Sequence, residues 1–190
     1  MKIIQIGCNH CDDDIFKFVK EIENSITKFI VVDALPKCIE IAKEKYSFLG
    51  ERLVAINCAI GTQTEKINFY FPKGEDTSGH SSISKQHVNR HHHPEVEEIS
   101  IDCVEVNEFL NKFSFDEIDL FAIDIEGLDV DVLLKLDLDN FHINQIIYEF
   151  YHADGTFQVG QKHNELVNKL QNYKYDLKQI SEYNILATKI

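Results

Sequence analysis

Residues able to do chemistry fall into five short stretches, each placed directly after an apolar run: Gly7-Cys8-Asn9-His10-Cys11-Asp12, Asp33-Ala34, Asn57-Cys58-Ala59-Ile60-Gly61, Asp124-Ile125-Glu126-Gly127, and Glu149 to His152. The first holds one glycine and runs into Asp12-Asp13-Asp14, whereas a phosphate-binding loop needs several glycines and a free helix N-terminus. A pyrophosphate would be repelled. A lone acid after the second run, Asp33, can accept hydrogen bonds from both hydroxyls of a ribose. A nucleoside without phosphates therefore fits, and S-adenosylmethionine is the common one. Asp124, Glu149 and His152 are the catalytic candidates, able to orient an acceptor hydroxyl or take its proton. The same three could hold a divalent cation such as Mg2+ against an acceptor diol. His80 is an alternative base, because imidazole titrates near neutrality. Each residue also has a plain reading: Gly7 as a turn, Asp33 as a helix cap, Asp124 and Glu126 as solvated acids closing a strand.

The remaining histidines and cysteines stay open. His91-His92-His93, with His80, His87 and His152, could form a transition-metal site; a solvated polar loop explains the same run. Cys8 and Cys11 have the spacing of a redox pair or half a zinc site, yet no second pair of that spacing follows, and small core residues are the competing explanation.

The apolar runs that position these groups read as strands. Lys2–Ile6, Phe29–Val32 and Leu53–Ile56 are separated by segments with helical spacing, the first opening at Asp12-Asp13-Asp14 and the second at Pro36. Continuous apolar strands alternating with helices predict a parallel sheet covered on both faces, a Rossmann-like, doubly wound α/β fold. In such sheets ligands bind outside the carboxyl ends of the strands, which is where the five stretches lie. The rhythm is interrupted at about 65–104. Lys66–Phe71 and Ile99–Val104 alternate like half-exposed strands, and residues 72–98 between them lack a period; that segment is expected to be a mobile wall over the acceptor. Helix, strand, helix, strand and helix then follow to about residue 170. The chain closes on two strand-like runs near 175–180 and 184–189 with no room for a helix between them, so the last strand is expected to be antiparallel.

At 190 residues the expectation is one domain, 1–190, with the excursion inside it. The 32 acidic against 19 basic residues, a net charge of −13, argue against nucleic acid or an anionic membrane as partner. A small, uncharged acceptor suits that balance better. Only Arg52 and Arg90 are arginines, which leaves little capacity for clamping phosphate. Five scattered cysteines fit a reducing compartment, and a cytoplasmic location is expected. Oligomeric state is not legible.

Taken in order, these stretches resemble the FkbM-type S-adenosylmethionine-dependent methyltransferases. Ile6-Gly7-Cys8-Asn9 resembles that family's strand followed by Gly-Ala-Asn, Asp33-Ala34-Leu35-Pro36 its acid followed shortly by Pro, and Asn57-Cys58-Ala59-Ile60-Gly61 its Asn-x-Ala-Val-Gly. Ile118 to Asp129 is similar to its Asp-Val-Glu-Gly signature and the strand before it, while Ile101 to Val106 and Ile147-Tyr148-Glu149 match two flanking motifs. The resemblance implies a class I methyltransferase architecture that alkylates a hydroxyl, often on a sugar or glycan. It also implies that Gly7, Cys8, Asn9, His10, Asp33, Ala34, Asn57, Ala59 and Asp124 contact the cofactor. The competing readings are a non-catalytic nucleoside-binding module and an NAD-type oxidoreductase, the latter disfavoured by the single glycine.

Overall fold

The computed structural model describes residues 1–93, 95–153 and 159–190. In chain order the elements begin with β1 (Lys2–Ile6), α1 (Asp14–Glu21), β2 (Lys28–Asp33), α2 (Pro36–Lys45) and β3 (Leu53–Asn57). The excursion follows as β4 (Ala59–Gly61), β5 (Glu65–Pro72), α3 (Lys85–Arg90) and β6 (Val96–Glu105). The chain resumes with α4 (Val106–Asn111), β7 (Ile118–Ile123), α5 (Asp129–Lys135), β8 (Ile143–Glu149), α6 (Gly160–Asn172), β9 (Tyr175–Gln179) and β10 (Asn184–Lys189).

Seven strands form one sheet in the order β3-β2-β1-β7-β8-β10-β9, all parallel except β10, which runs antiparallel to both β8 and β9. Its two faces are buried separately. Ile4, Ile6, Ile30, Val32, Phe121 and Ile123 pack into one apolar cluster with α4, α5 and α6, and Ile3, Phe29, Val31 and Leu120 into another with α1 and α2. This is why the strands read as unbroken apolar runs rather than alternating ones. Helix starts follow local chemistry: Asp13 accepts a hydrogen bond from Phe16 N at 2.8 Å, and Pro36 opens α2 where no amide proton is needed.

The register sets up the site. Ile6 is level with Val32 on one side and Ile123 on the other, and Ile123 is level with Tyr148. One residue further on, Gly7, Asp33, Asp124 and Glu149 therefore leave the sheet side by side.

The excursion differs from expectation in two places. Ala59–Gly61, read as loop, is strand β4, parallel to β6 in a three-stranded sheet completed by antiparallel β5; three residues are too few to show a period. Residues 72–98 contain α3, with His87 and Val88 fully buried, and Ser82 bridges to Tyr70. That segment is a packed wall rather than a loose loop. A six-residue helix with a single apolar residue carries no stripe, and its order comes from the Ser84 cap and those two buried side chains. Pro94 in that segment lies outside the described residues.

Candidate active site

Gly7 turns the chain at the end of β1 with φ +77°, and a Cβ there would stand 1.7 Å from the Asp124 carbonyl oxygen. Only glycine lets the two strand ends approach so closely. The loop that follows is fastened from β2: Asp33 accepts from Cys8 N at 2.9 Å and Asn9 N at 3.1 Å through one carboxylate oxygen, and from Leu35 N at 2.9 Å through the other. Burial raises the Asp33 carboxyl above its usual range, against the pull of those three amides.

A cleft of about 190 Å³ opens over this loop, bounded by Asp33–Leu35, Cys58–Ile60, Phe69 and the Ser78–Ile83 stretch of the excursion. Asn9 sits where these walls meet. A Cβ on Gly79 would lie 2.8 Å from Asn9 Nδ2, and Asn9 Oδ1 is buried without a hydrogen-bond partner. Such an oxygen calls for a donor from a ligand.

A second cavity, of about 300 Å³, lies beside the first and is lined by Ala122, Ile147, Ile180, Ser181 and Asn184. Gly7, Asp13 and Asp124 border both. Asp124 is exposed where the two cavities meet, with protein on the sides away from the opening. Desolvation by that surround, then the charges of Glu126 and Asp13, push its carboxyl up to about 7. Glu149 is 9% exposed, and burial followed by repulsion from Asp124, Glu126 and Asp129 pushes it up to about 10.

Beyond Asp124 the chain passes through Glu126 at φ +55° and Gly127 at φ +101°, and the Glu126 carboxylate reaches His87 Nε2 at 3.0 Å. Two groups of donors share Glu126: His87 and His91 on one side, Glu149 and His152 on the other.

The structure thus brings Gly7, Cys8, Asn9, Asp33, Ala34, Ala59 and Asp124 to the cleft. His10 is exposed and does not line it. Asn57 lies outside the lining too; its amide donates to the Asp33 and Ala34 carbonyls, both at 2.9 Å, and so braces the strand end. The grouping of Asp124 with Glu149 and His152 around a cation is corrected, because Glu126 takes that place and Asp124 belongs to neither group of donors. The left-handed backbone at Glu126, invisible in sequence, turns its side chain that way. Cys8 and Cys11 are both buried free thiols. The Ser78–Ile83 wall lies within the segment expected over the acceptor, and His87 and His91 within the histidine run read as a possible metal site; what went unread was the short helix α3 that spaces those two histidines.

The fold and the strand-end site define a class I methyltransferase architecture, a mostly parallel seven-stranded sheet with one antiparallel strand. The chain belongs to the family described as the Methyltransferase FkbM domain, which matches residues 5–177. Among solved structures, the FkbM methyltransferase of Methylobacillus flagellatus KT is similar with a TM-score of 0.58 at 11% identity. The match covers 98% of this chain and 43% of that one, so this chain spans less than half its length. The Podospora anserina methyltransferase PaMTH1, solved with S-adenosylhomocysteine, aligns with a TM-score of 0.49 at 13% identity, over 100% of this chain and 71% of that one. M. capricolum TrmK, also solved with that product, aligns with a TM-score of 0.46 at 14% identity, over 100% and 62%. No curated protein matches. Among the described residues, no helix is long and apolar enough to cross a membrane.

Proposed function

We propose that this chain binds S-adenosylmethionine in the cleft over the Gly7–Asn9 loop and directs its methyl group to a hydroxyl oxygen of a sugar or similar small acceptor. The buried, unpartnered Asn9 Oδ1 fits an ammonium donor such as the cofactor's amino-acid end. Asp33 spends three acceptor positions on backbone amides and, with two oxygens, keeps room for one ribose hydroxyl. The residues lining the cleft include Asp12, Asp13, Asp33, Asp124 and Glu126 and no Lys or Arg, a setting suited to a cationic sulfonium and hostile to phosphate. When bound, the cofactor supplies an activated methyl carbon and leaves as the neutral thioether.

The single observation that carries the reading is the position of Asp124, at the border of both cavities. A carboxylate there can hold an acceptor hydroxyl entering from the second cavity and take its proton as the oxygen–methyl bond forms. A sugar acceptor is supported by Tyr151 and Tyr183, exposed rings with centroids 5.2 Å apart, next to the turn that carries Ser181 and Asn184; sugar C–H faces stack on such rings.

Asp124→Asn keeps the side chain's size and removes its basicity. Methyl transfer to acceptors found by a mass-spectrometric glycan screen should fall by ~10²- to 10⁴-fold, while calorimetry shows S-adenosylhomocysteine binding within a few-fold of wild type. Undiminished turnover by the variant would remove Asp124 from the reaction.

A further inference from the structure

One cluster is not used by the methyl-transfer reading. His87, in α3, and His91, its C-cap, lie four residues apart, and their Nε2 atoms are 3.1 Å apart. Glu126 Oε2 is 3.0 Å from His87 Nε2, and His91 Nε2 and His152 Nε2 each lie 4.0 Å from that same oxygen. His152 Nε2 is 3.7 Å from Glu149 Oε1. Hydrogen bonds within the cluster account for two of these five separations. Three of these five separations are beyond a hydrogen bond, and His87 Nε2 has one in-plane proton or lone pair to serve both of its near neighbours.

Bonds of about 2.0–2.2 Å to one ion place donors roughly 3.3–3.6 Å apart in a tetrahedral site, and roughly 2.8–3.1 Å or, when opposed, 4.0–4.4 Å apart in an octahedral one. Within the group His87, His91 and Glu126 the separations are 3.0, 3.1 and 4.0 Å. Two further observations point the same way. Glu149, 9% exposed, has a buried Oε2 with no hydrogen-bond partner, a state that a buried carboxyl relieves by holding a proton or by having a cation close. Glu126 adopts a left-handed backbone, rare for a residue of its type, and that conformation aims its carboxylate at the histidines. His91 is held in turn by His80, whose ring stacks on it at 4.0 Å and 6°.

We propose that this chain holds one divalent first-row transition-metal ion on His87 Nε2, His91 Nε2 and Glu126, with Glu149 on the other side of that carboxylate to balance its charge. Two imidazoles with one carboxylate suit Zn2+ or a neighbouring transition metal rather than Mg2+ or Ca2+, which take oxygen ligands. The ion would fasten α3, on the excursion, to the turn that follows β7, and so fix the cleft wall.

The test uses the full chain, stripped with a chelator and dialysed, in the absence of cofactor and acceptor, so that its outcome is independent of the methyl-transfer reading. Titration with Co2+ should give visible d–d absorption that saturates at one ion per chain, disappears on adding one equivalent of Zn2+, and persists in excess Mg2+. Zn2+ should raise the thermal midpoint. His91→Gln and Glu126→Gln should each weaken Zn2+ binding by more than the ~10- to 100-fold lost with a residue that only orients a ligand. A His92→Ala/His93→Ala double variant should bind as wild type. Wild-type protein that takes up neither Co2+ nor Zn2+ overturns the proposal whether or not the variants fold. So does displacement by Mg2+, a stoichiometry of two, or binding that survives Glu126→Gln but fails in the His92/His93 variant.

Discussion

Replacing Asp33 by Asn separates the two tasks the structure gives this side chain. The carboxylate accepts three backbone amides, two on one oxygen from the Gly7–Asn9 loop and one on the other from Leu35. Asn has one acceptor oxygen and two amide protons. If its oxygen turns to the loop, its NH2 faces the Leu35 N–H; if it turns to Leu35, the NH2 faces both loop amides. At least one charge-assisted bond, about 1.5–3 kcal/mol, is lost in either orientation, and an amide is left facing a donor at about 1–3 kcal/mol. Allowing for relaxation, about 2–4 kcal/mol leaves the loop conformation that presents Asn9. Since about 1.4 kcal/mol is tenfold in affinity, S-adenosylhomocysteine should bind roughly 30- to 10³-fold more weakly, read by isothermal titration. Circular dichroism and an unchanged denaturant m-value would confirm the fold. A folded variant whose dissociation constant moves less than threefold would show that Asp33 neither orders the loop nor meets the ribose.

Gly7→Ala should be worse. The left-handed φ costs an L-residue about 1–2 kcal/mol, and a Cβ 1.7 Å from the Asp124 oxygen must push apart strand ends joined by Gly7 N to Val32 O and Asp124 N to Ile6 O, both 2.9 Å. A loss of at least ~3 kcal/mol in urea denaturation is expected, and a wild-type midpoint would show the approach to be relaxed in solution. Lys169 donates to the Leu133, Leu134 and Leu136 carbonyls at 3.0, 2.9 and 2.5 Å and so closes the end of α5. Lys169→Met should cost ~1–3 kcal/mol in the same assay with cofactor affinity unchanged; no loss would mean that water replaces the ammonium at no cost. Burial lowers the pKa of His163, which meets Tyr148 Oη at 3.3 Å. The unfolded chain then takes up the proton first as pH falls through ~6.5, and stability falls with it. His163→Gln should therefore lose stability less steeply than wild type as pH falls below ~6.5, and parallel curves would clear this ring of the effect.

Legibility of the sequence followed the length scale of each interaction. Strands β1, β2 and β7 announce themselves because burial on both faces leaves mostly apolar residues, Gln5 being the buried exception in β1, and the antiparallel β10 follows from the short span after β9. Asp33 was legible as a strand-end acid, but not its work on the loop, because that depends on the left-handed turn at Gly7, just ahead of the Cys8 and Asn9 amides that it receives. His10 shows the converse: between the left-handed residues Asn9 and Cys11 it is exposed although it sits inside the motif. α3 was hidden for want of an apolar stripe, since its order rests on contacts with distant partners, among them Glu126, 39 residues away from His87.

The excursion therefore does more than interrupt the sheet. Strand ends alone supply Gly7, Asp33 and Asp124, a floor that any doubly wound sheet can build. The side walls of the cleft, Phe69 and Ser78–Ile83, come from the excursion, and Ser82 Oγ donates to the Glu126 carbonyl at 3.1 Å, tying that wall to the turn after β7. Because His87 from α3 contacts the carboxylate of that same Glu126, wall and floor meet at one residue through both its main chain and its side chain. A substitution in α3 can thus alter the cleft without touching it, by releasing the turn that carries Asp124 two residues upstream. Buried polar contacts of this kind tolerate one geometry rather than a range, which is how a six-residue helix with one apolar side chain comes to hold a fixed place over the carboxyl ends of the strands.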